Sequence, residues 1–215
     1  LRRRNFISHG HAPANPGPAG LVALAMACFT FFAVHTGQVE GAAIPLLGIW
    51  LVGGFVVQVI VGVMELQHGN VLGGNIFTFF SAFFMFVTGL ELIFKYFAGI
   101  YGWPLDARID GWAWLALAIA LLTWTPGYFK SPLSLLGVVL ALDVAVPVVA
   151  LMDLHWLPHS MHMVSGPALF VAGLFGLYTA VAVVLNTVFE RTVIPTGGPL
   201  IKPKPVPQGA ASKSS

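Results

Sequence analysis

The side chains that could do chemistry in this sequence stand out because the stretches around them are almost wholly apolar. Asp143 lies near the centre of one such run, where a carboxyl group is costly unless it has a partner or a task. It suits either a candidate proton relay beside a pathway or a structural carboxyl bonded to a neighbouring helix, and the residue type favours neither. Gln58 lies deep in another apolar run. Asn75, Thr78 and Ser81 recur at three-residue steps, placing an amide and two hydroxyls on roughly one helical face. Such a stripe can hydrate a pore or bond to adjacent helices, and pore lining is the slightly better expectation. Phe79, Phe80, Phe83, Phe84 and Phe86 surround it; most read as packing residues, with one or two reaching a centre that gates by dewetting. Glu91 and Lys95, four apart in the favourable order, read as a helical ion pair.

Histidines supply a second kind of chemistry. His155, His159 and His162 offer imidazoles at ligand-like spacing beside Asp153, and His35 ends an earlier apolar run. Pro158 interrupts any helix that would align them, so no metal site is expected. A pH-responsive mouth is a second reading, because imidazole titrates near neutral pH. Interfacial polar residues beside Trp156 are the better reading of the three. Enzyme readings do poorly. Ser165 lies in no nucleophile motif, no run carries a mid-span pair of histidines for haem, and no nucleotide-binding loop appears, so neither a cofactor nor ATP-driven work is expected. The lone cysteine, Cys28, excludes an intrachain disulfide and a multi-cysteine metal site.

The elements that must position these residues follow from where charge is missing. Of 215 residues only 8% are charged and 57% are hydrophobic, against about 25% charged in soluble proteins. The mean hydropathy is +0.86. Ten basic and eight acidic side chains cannot cover a soluble domain of this size, which excludes a globular enzyme domain, a disordered chain and a nucleic-acid binder. Residues 5–39, 41–64, 66–90, 111–129 and 154–189 contain no Asp, Glu, Lys or Arg, and 131–152 contains only Asp143. A bilayer span takes about 20 apolar residues, and none of these runs alternates as a β-barrel strand would. The expected fold is therefore an all-α integral membrane protein with six transmembrane helices, near 18–36, 43–66, 74–97, 111–128, 132–154 and 165–188. Ala172, Gly176 and Ala180 recur at four-residue steps in the sixth, a pattern that lets helices approach closely.

Basic residues set the orientation. With a cytoplasmic N-terminus, that side collects Arg2, Arg3, Arg4, Lys130, Arg191, Lys202, Lys204 and Lys213, and the other receives only Lys95 and Arg108. Both termini are therefore expected in the cytoplasm, of a multi-pass protein of the cell membrane. Residues 1–14 read as a cytoplasmic N-terminal segment, 15–195 as the transmembrane domain, and 196–215, rich in Pro, Gly and Ser, as a solvated cytoplasmic tail.

Asn15-Pro16-Gly17-Pro18-Ala19-Gly20-Leu21 resembles the N-P-x-P-x-G-L signature of the acetate uptake transporter family, the acetate/succinate permeases. Gln58, then Glu65 with His68-Gly69-Asn70, resembles that family's second-helix glutamine and its E-x-x-[KH]-G-N turn. Residues 75–84 (NIFTFFSAFF) are similar to the T-x-F-x-[ST]-[YF]-G-x-F-W stretch. Leu185-Asn186 with Arg191 and Ile194-Pro195 is similar to the L-N-x-x-x-G-R-x-x-[LI]-P ending. The matches keep their order from residue 15 to 195.

The resemblance implies a six-helix protomer with a pore inside it, assembled as a homo-hexamer in the lipid bilayer. It implies uptake of acetate and related small monocarboxylates, sometimes succinate, either coupled to protons or as an anion channel. It also implies a narrow hydrophobic ring at Leu24 and Phe80, completed by Leu140 or Leu142. This chain departs from the pattern there: the family usually has Phe and Tyr at the first two positions, and Gly where Ser81 stands. A ring without the Tyr hydroxyl is wholly apolar, which makes a channel for small neutral solutes, such as urea or protonated acids, the alternative expectation. An accessory membrane protein whose His-rich outer segment binds a metal or a partner is a third.

Overall fold

A computed structural model describes residues 14–202 and contains six helices long and apolar enough to cross a membrane. They are α1 (Gly17–His35), α2 (Ile44–Gln67), α3 (Val71–Tyr101), α4 (Arg108–Trp124), α5 (Leu133–Asp153) and α6 (His162–Val188). A 3-10 turn, Thr125–Lys130, prolongs α4. All but the last residue of the expected 1–14 segment, and the end of the expected tail, with Arg2, Arg3, Arg4, Lys204 and Lys213, lie outside the described residues.

Local chemistry sets where the helices stop. Asn15 Oδ1 accepts the Gly17 N–H at 2.9 Å, and Pro18 sits in the first turn, where a missing N–H costs nothing. Between α2 and α3 the chain reverses at Gly69, whose φ of +79° suits glycine, and Asn70 Oδ1 caps α3 by accepting the Gly73 N–H at 3.1 Å. This cap starts α3 at Val71, three residues before the expected 74, and Gly102 in the left-handed region ends it after Tyr101. The ion-paired Glu91 and Lys95 therefore lie inside the span rather than at its end. Pro158 does break the chain as expected, and α6 restarts after the short 3-10 turn His159–Met161.

Neighbour packing runs α3–α2–α1–α6–α5–α4, with α1 against α6 the most extensive contact. The aromatic pairs Phe79–Trp124 and Phe84–Trp114, together with a Lys95–Asp110 bridge, join α3 to α4 and close the ring. Small residues permit the close approaches. A Cβ on Gly48 would lie 2.5 Å from the Gly89 carbonyl oxygen, and one on Gly62 would lie 2.9 Å from the Thr78 nitrogen, so α2 and α3 touch backbone to backbone. The Ala172, Gly176 and Ala180 row is buried against α1, where Gly176 meets the Leu21 carbonyl; its close packing is within the protomer.

The outside of the bundle is apolar, with Leu46, Ile49, Ile60, Leu90, Ile119 and Val181 all exposed. Tyr101, Trp103, Trp112 and Trp156 are exposed at the end opposite the chain termini, the place amphipathic rings take at a membrane interface. Six crossings bring the two chain ends to one face. There Asn186 ties down the segment after α6, accepting N–H groups from Val193 and Ile194 at 2.7 and 2.9 Å.

Candidate functional site

Residues on the α1–α2 and α1–α3 seams build one wall of a cavity of about 230 Å³ that opens toward the chain termini. Asn15, Gly17 and Pro18 come to it from the start of α1, and Glu65 and Asn70 from the α2–α3 turn. These two stretches are fifty residues apart in sequence, yet a Cβ on Gly17 would sit 3.2 Å from Glu65 Oε1. Asn70 Nδ2 donates to Glu65 Oε2 at 2.6 Å, which holds the carboxylate in place. Gly69 supplies the turn, and Pro16 precedes the helix without lining the cavity.

Deeper in the same cavity is Gln58, 1% exposed. Its Nε2 donates to the Gly20 carbonyl at 3.1 Å, which requires the amide nitrogen on that side and leaves Oε1 as a buried acceptor with no partner. Gly20 itself lies under the Phe77 ring, and Leu21 lines the cavity one residue on.

The cavity ends on Leu24, Phe80 and Leu142, all at most 6% exposed. A second cavity, about 260 Å³, opens toward the other face and ends on Phe31, Phe84 and Val146. On α3 and α5 the two floors are one helical turn apart, Phe80 to Phe84 and Leu142 to Val146, so the cavities stand in series across a thin apolar waist. Phe84 packs edge-on to Phe80 and Trp114 and stacks on Phe31, with centroids 5.5–5.7 Å apart. Phe80 and Phe84, four residues apart and so on one face of the helix, lie in a π-helical segment, Phe80–Val87.

Several expected positions fall elsewhere. Leu140 is 49% exposed on the outside of α5, because at 100° per residue it points almost opposite to Leu142. Asn75, Thr78 and Ser81 line neither cavity. Each bonds back to a carbonyl of α3 itself, at 2.7–2.9 Å, and the Thr78 methyl packs over Gly62 of α2. Asp143 also lines neither cavity. It is half-buried toward the end of α4, where the Thr125 hydroxyl lies 2.8 Å from Oδ2.

Residues that read in sequence as a helical ion pair and as interfacial polar groups line the second cavity. Glu91 and Lys95 of α3, Asp153 of α5, His35 of α1 and His162 of α6 all face it. Lys95 is paired with both Glu91 and Asp110. Outside the span, the Arg108 guanidinium grips Asp106 through Nε at 2.8 Å and holds its carboxyl down to about 2. The available signal was charge within an apolar span. Tyr128 and Thr179, which line the first cavity, carried none.

Six spanning helices around two cavities in series, separated by an apolar waist, define a multi-pass membrane protein with a candidate pathway through its bundle. The model of the GPR1/FUN34/yaaH family matches residues 5–197, and the chain belongs to that family. It is 27% identical over 185 residues to proteins named succinate-acetate/proton symporter SatP from Escherichia coli K12 and from Shigella flexneri. Each alignment covers 86% of this chain and 95% of the relative. Among solved structures, the bacterial acetate channel SatP shares the fold with a TM-score of 0.74 at 24% identity, over 86% of this chain and 99% of that one.

Proposed function

We propose that this protein is a permease or channel for acetate and related small monocarboxylates, succinate among the candidates, moving them passively or with a proton. The observation that carries the reading is the waist of Leu24, Phe80 and Leu142, with the unpartnered Gln58 Oε1 in the cavity beside it. A short carboxylic acid fits this combination: its methyl group suits the apolar ring and its polar end suits the amide. Membership of a family with relatives named as succinate-acetate/proton symporters supports the same substrate class.

One observation favours the neutral acid as the species that crosses the waist. Gln58 offers the cavity an acceptor, Glu65 adds a carboxylate, and the ring adds no donor at all. A protonated acid brings its own O–H donor, whereas a bare carboxylate meets like charge. In the same reading both termini are cytoplasmic, and the protein works as a homo-hexamer with one pathway per protomer. Uptake of radiolabelled acetate into proteoliposomes, with and without an imposed pH gradient, tests the function. Uptake no faster than into empty vesicles would exclude it.

A further inference from the structure

Four imidazoles lead from the far face into the second cavity. His155 and His159 have ring centroids 6.5 Å apart, His159 and His162 stack at 5.8 Å, and His162 lies 4.2 Å from His35. The last two line the cavity itself. His35 Nδ1 lies 3.2 Å from the hydroxyl of the fully buried Ser165, which can donate or accept and so serves either protonation state of the ring. His162 Nδ1 is buried without a partner.

The charges around this pair determine what its protonation does. From α3 come Glu91 and Lys95, from α5 Asp153, and from α4 Asp110, which reaches the cavity through its bridge to Lys95. The turn before α6 contributes His155 and His159, while α2 faces the cavity with the apolar Ile44 and Leu47. Three carboxyl groups therefore face one ammonium, which is already engaged by two of them. With neutral imidazoles such a chamber offers an entering carboxylate no free cation among the described residues. Two imidazoles in contact cannot both carry a proton, since like charges so close disfavour the second. One proton on the pair adds the cation that the wall lacks.

We propose that His35 and His162 form a two-ring acceptor for a single proton taken from the far-side solution, and that this proton draws a small monocarboxylate into the second cavity. The N–H proton then passes to the carboxylate oxygen, leaving a neutral ring pair and a neutral acid in front of the apolar waist. No other reactant is needed. The inference rests on the monocarboxylate reading above and assigns its proton to two named residues.

Acetate uptake into proteoliposomes holding the full chain, corrected for empty vesicles and followed from about pH 7.5 to about pH 4.5, reads the pair, because that window runs from the ordinary imidazole range to well below it. The wild type is expected to gain about fivefold or more as external pH falls across that window. The double variant His35→Gln with His162→Gln should lose this gain, while His159→Gln keeps most of it. A double variant with the wild-type pH profile overturns the assignment and leaves the permease reading standing. No uptake by the wild type at any pH removes the permease reading itself. Should the double variant fail to assemble, histidine-labelled wild-type protein in nanodiscs gives the answer by NMR. His35 and His162, assigned from the single variants, should share one protonation step that moves when acetate is added. Two independent steps indifferent to acetate would refute the pair.

Discussion

At the scale of single residues, position relative to the two cavities separates polar groups that look alike in the sequence. Gln58 and Asp143 are both polar groups deep in apolar spans, yet only Gln58 faces a cavity. A neutral hydrogen bond is worth about 0.5–1.5 kcal/mol, so Gln58→Ala should slow acetate uptake about two- to tenfold in proteoliposomes. Asp143 bonds to Thr125 away from both cavities, so Asp143→Asn should leave the uptake rate and its pH profile unchanged, with any cost appearing in the melting temperature. Exposed Asp106 gives a separate check. Its folded-state value of about 2 lies below the ordinary 3.8, so the Arg108 pair contributes stability above the ordinary value that is lost as pH falls from about 3.8 to about 2. Arg108→Gln should raise the Asp106 midpoint seen by carbon-13 NMR.

At the scale of helices, close packing does most of the positioning. The α2–α3 seam leaves no room for a side chain at Gly62, because beside the Thr78 methyl at 2.7 Å stands the Thr78 backbone nitrogen at 2.9 Å, which cannot turn aside. Gly62→Val should lower stability by about 1–3 kcal/mol, read as a lower thermal midpoint in detergent. The same seam explains why Asn75, Thr78 and Ser81 do not line the pathway. A three-residue step gives a shared face, but which way that face turns depends on α2, whose glycines accept Thr78 instead of leaving it to the cavity. The choice between Leu140 and Leu142 was open for a similar reason, since α5 is apolar all round and its sequence marks no inner side.

At the scale of the whole molecule, two cavities of similar size meet at a waist only one helical turn thick. A barrier that short excludes by size and polarity, so its ring sets which acids pass. Removing the Phe80 ring opens it from one side while Phe84 remains. Phe80→Ala should therefore raise uptake of butyrate relative to acetate severalfold, measured as competition in proteoliposomes; an unchanged ratio would place the selective step elsewhere.

The sequence alone determined that the chain spans a bilayer six times, because scarcity of charge and the length of apolar runs are properties of the solvent a segment requires. It also marked the two polar stretches, residues 15–21 and 65–70, whose capping and turn chemistry is local. The tertiary structure decided what those stretches face. It brought Asn15 beside Glu65 in one cavity, turned Gln58 inward and Asp143 away, and gathered His35, Glu91, Lys95, Asp153 and His162 from four helices around the other. In a bilayer lipid and protein interior are equally apolar, so no hydrophobic stripe tells inside from outside. Close packing at glycines and hydrogen bonds between helices make that choice, and both exist only once the helices are assembled.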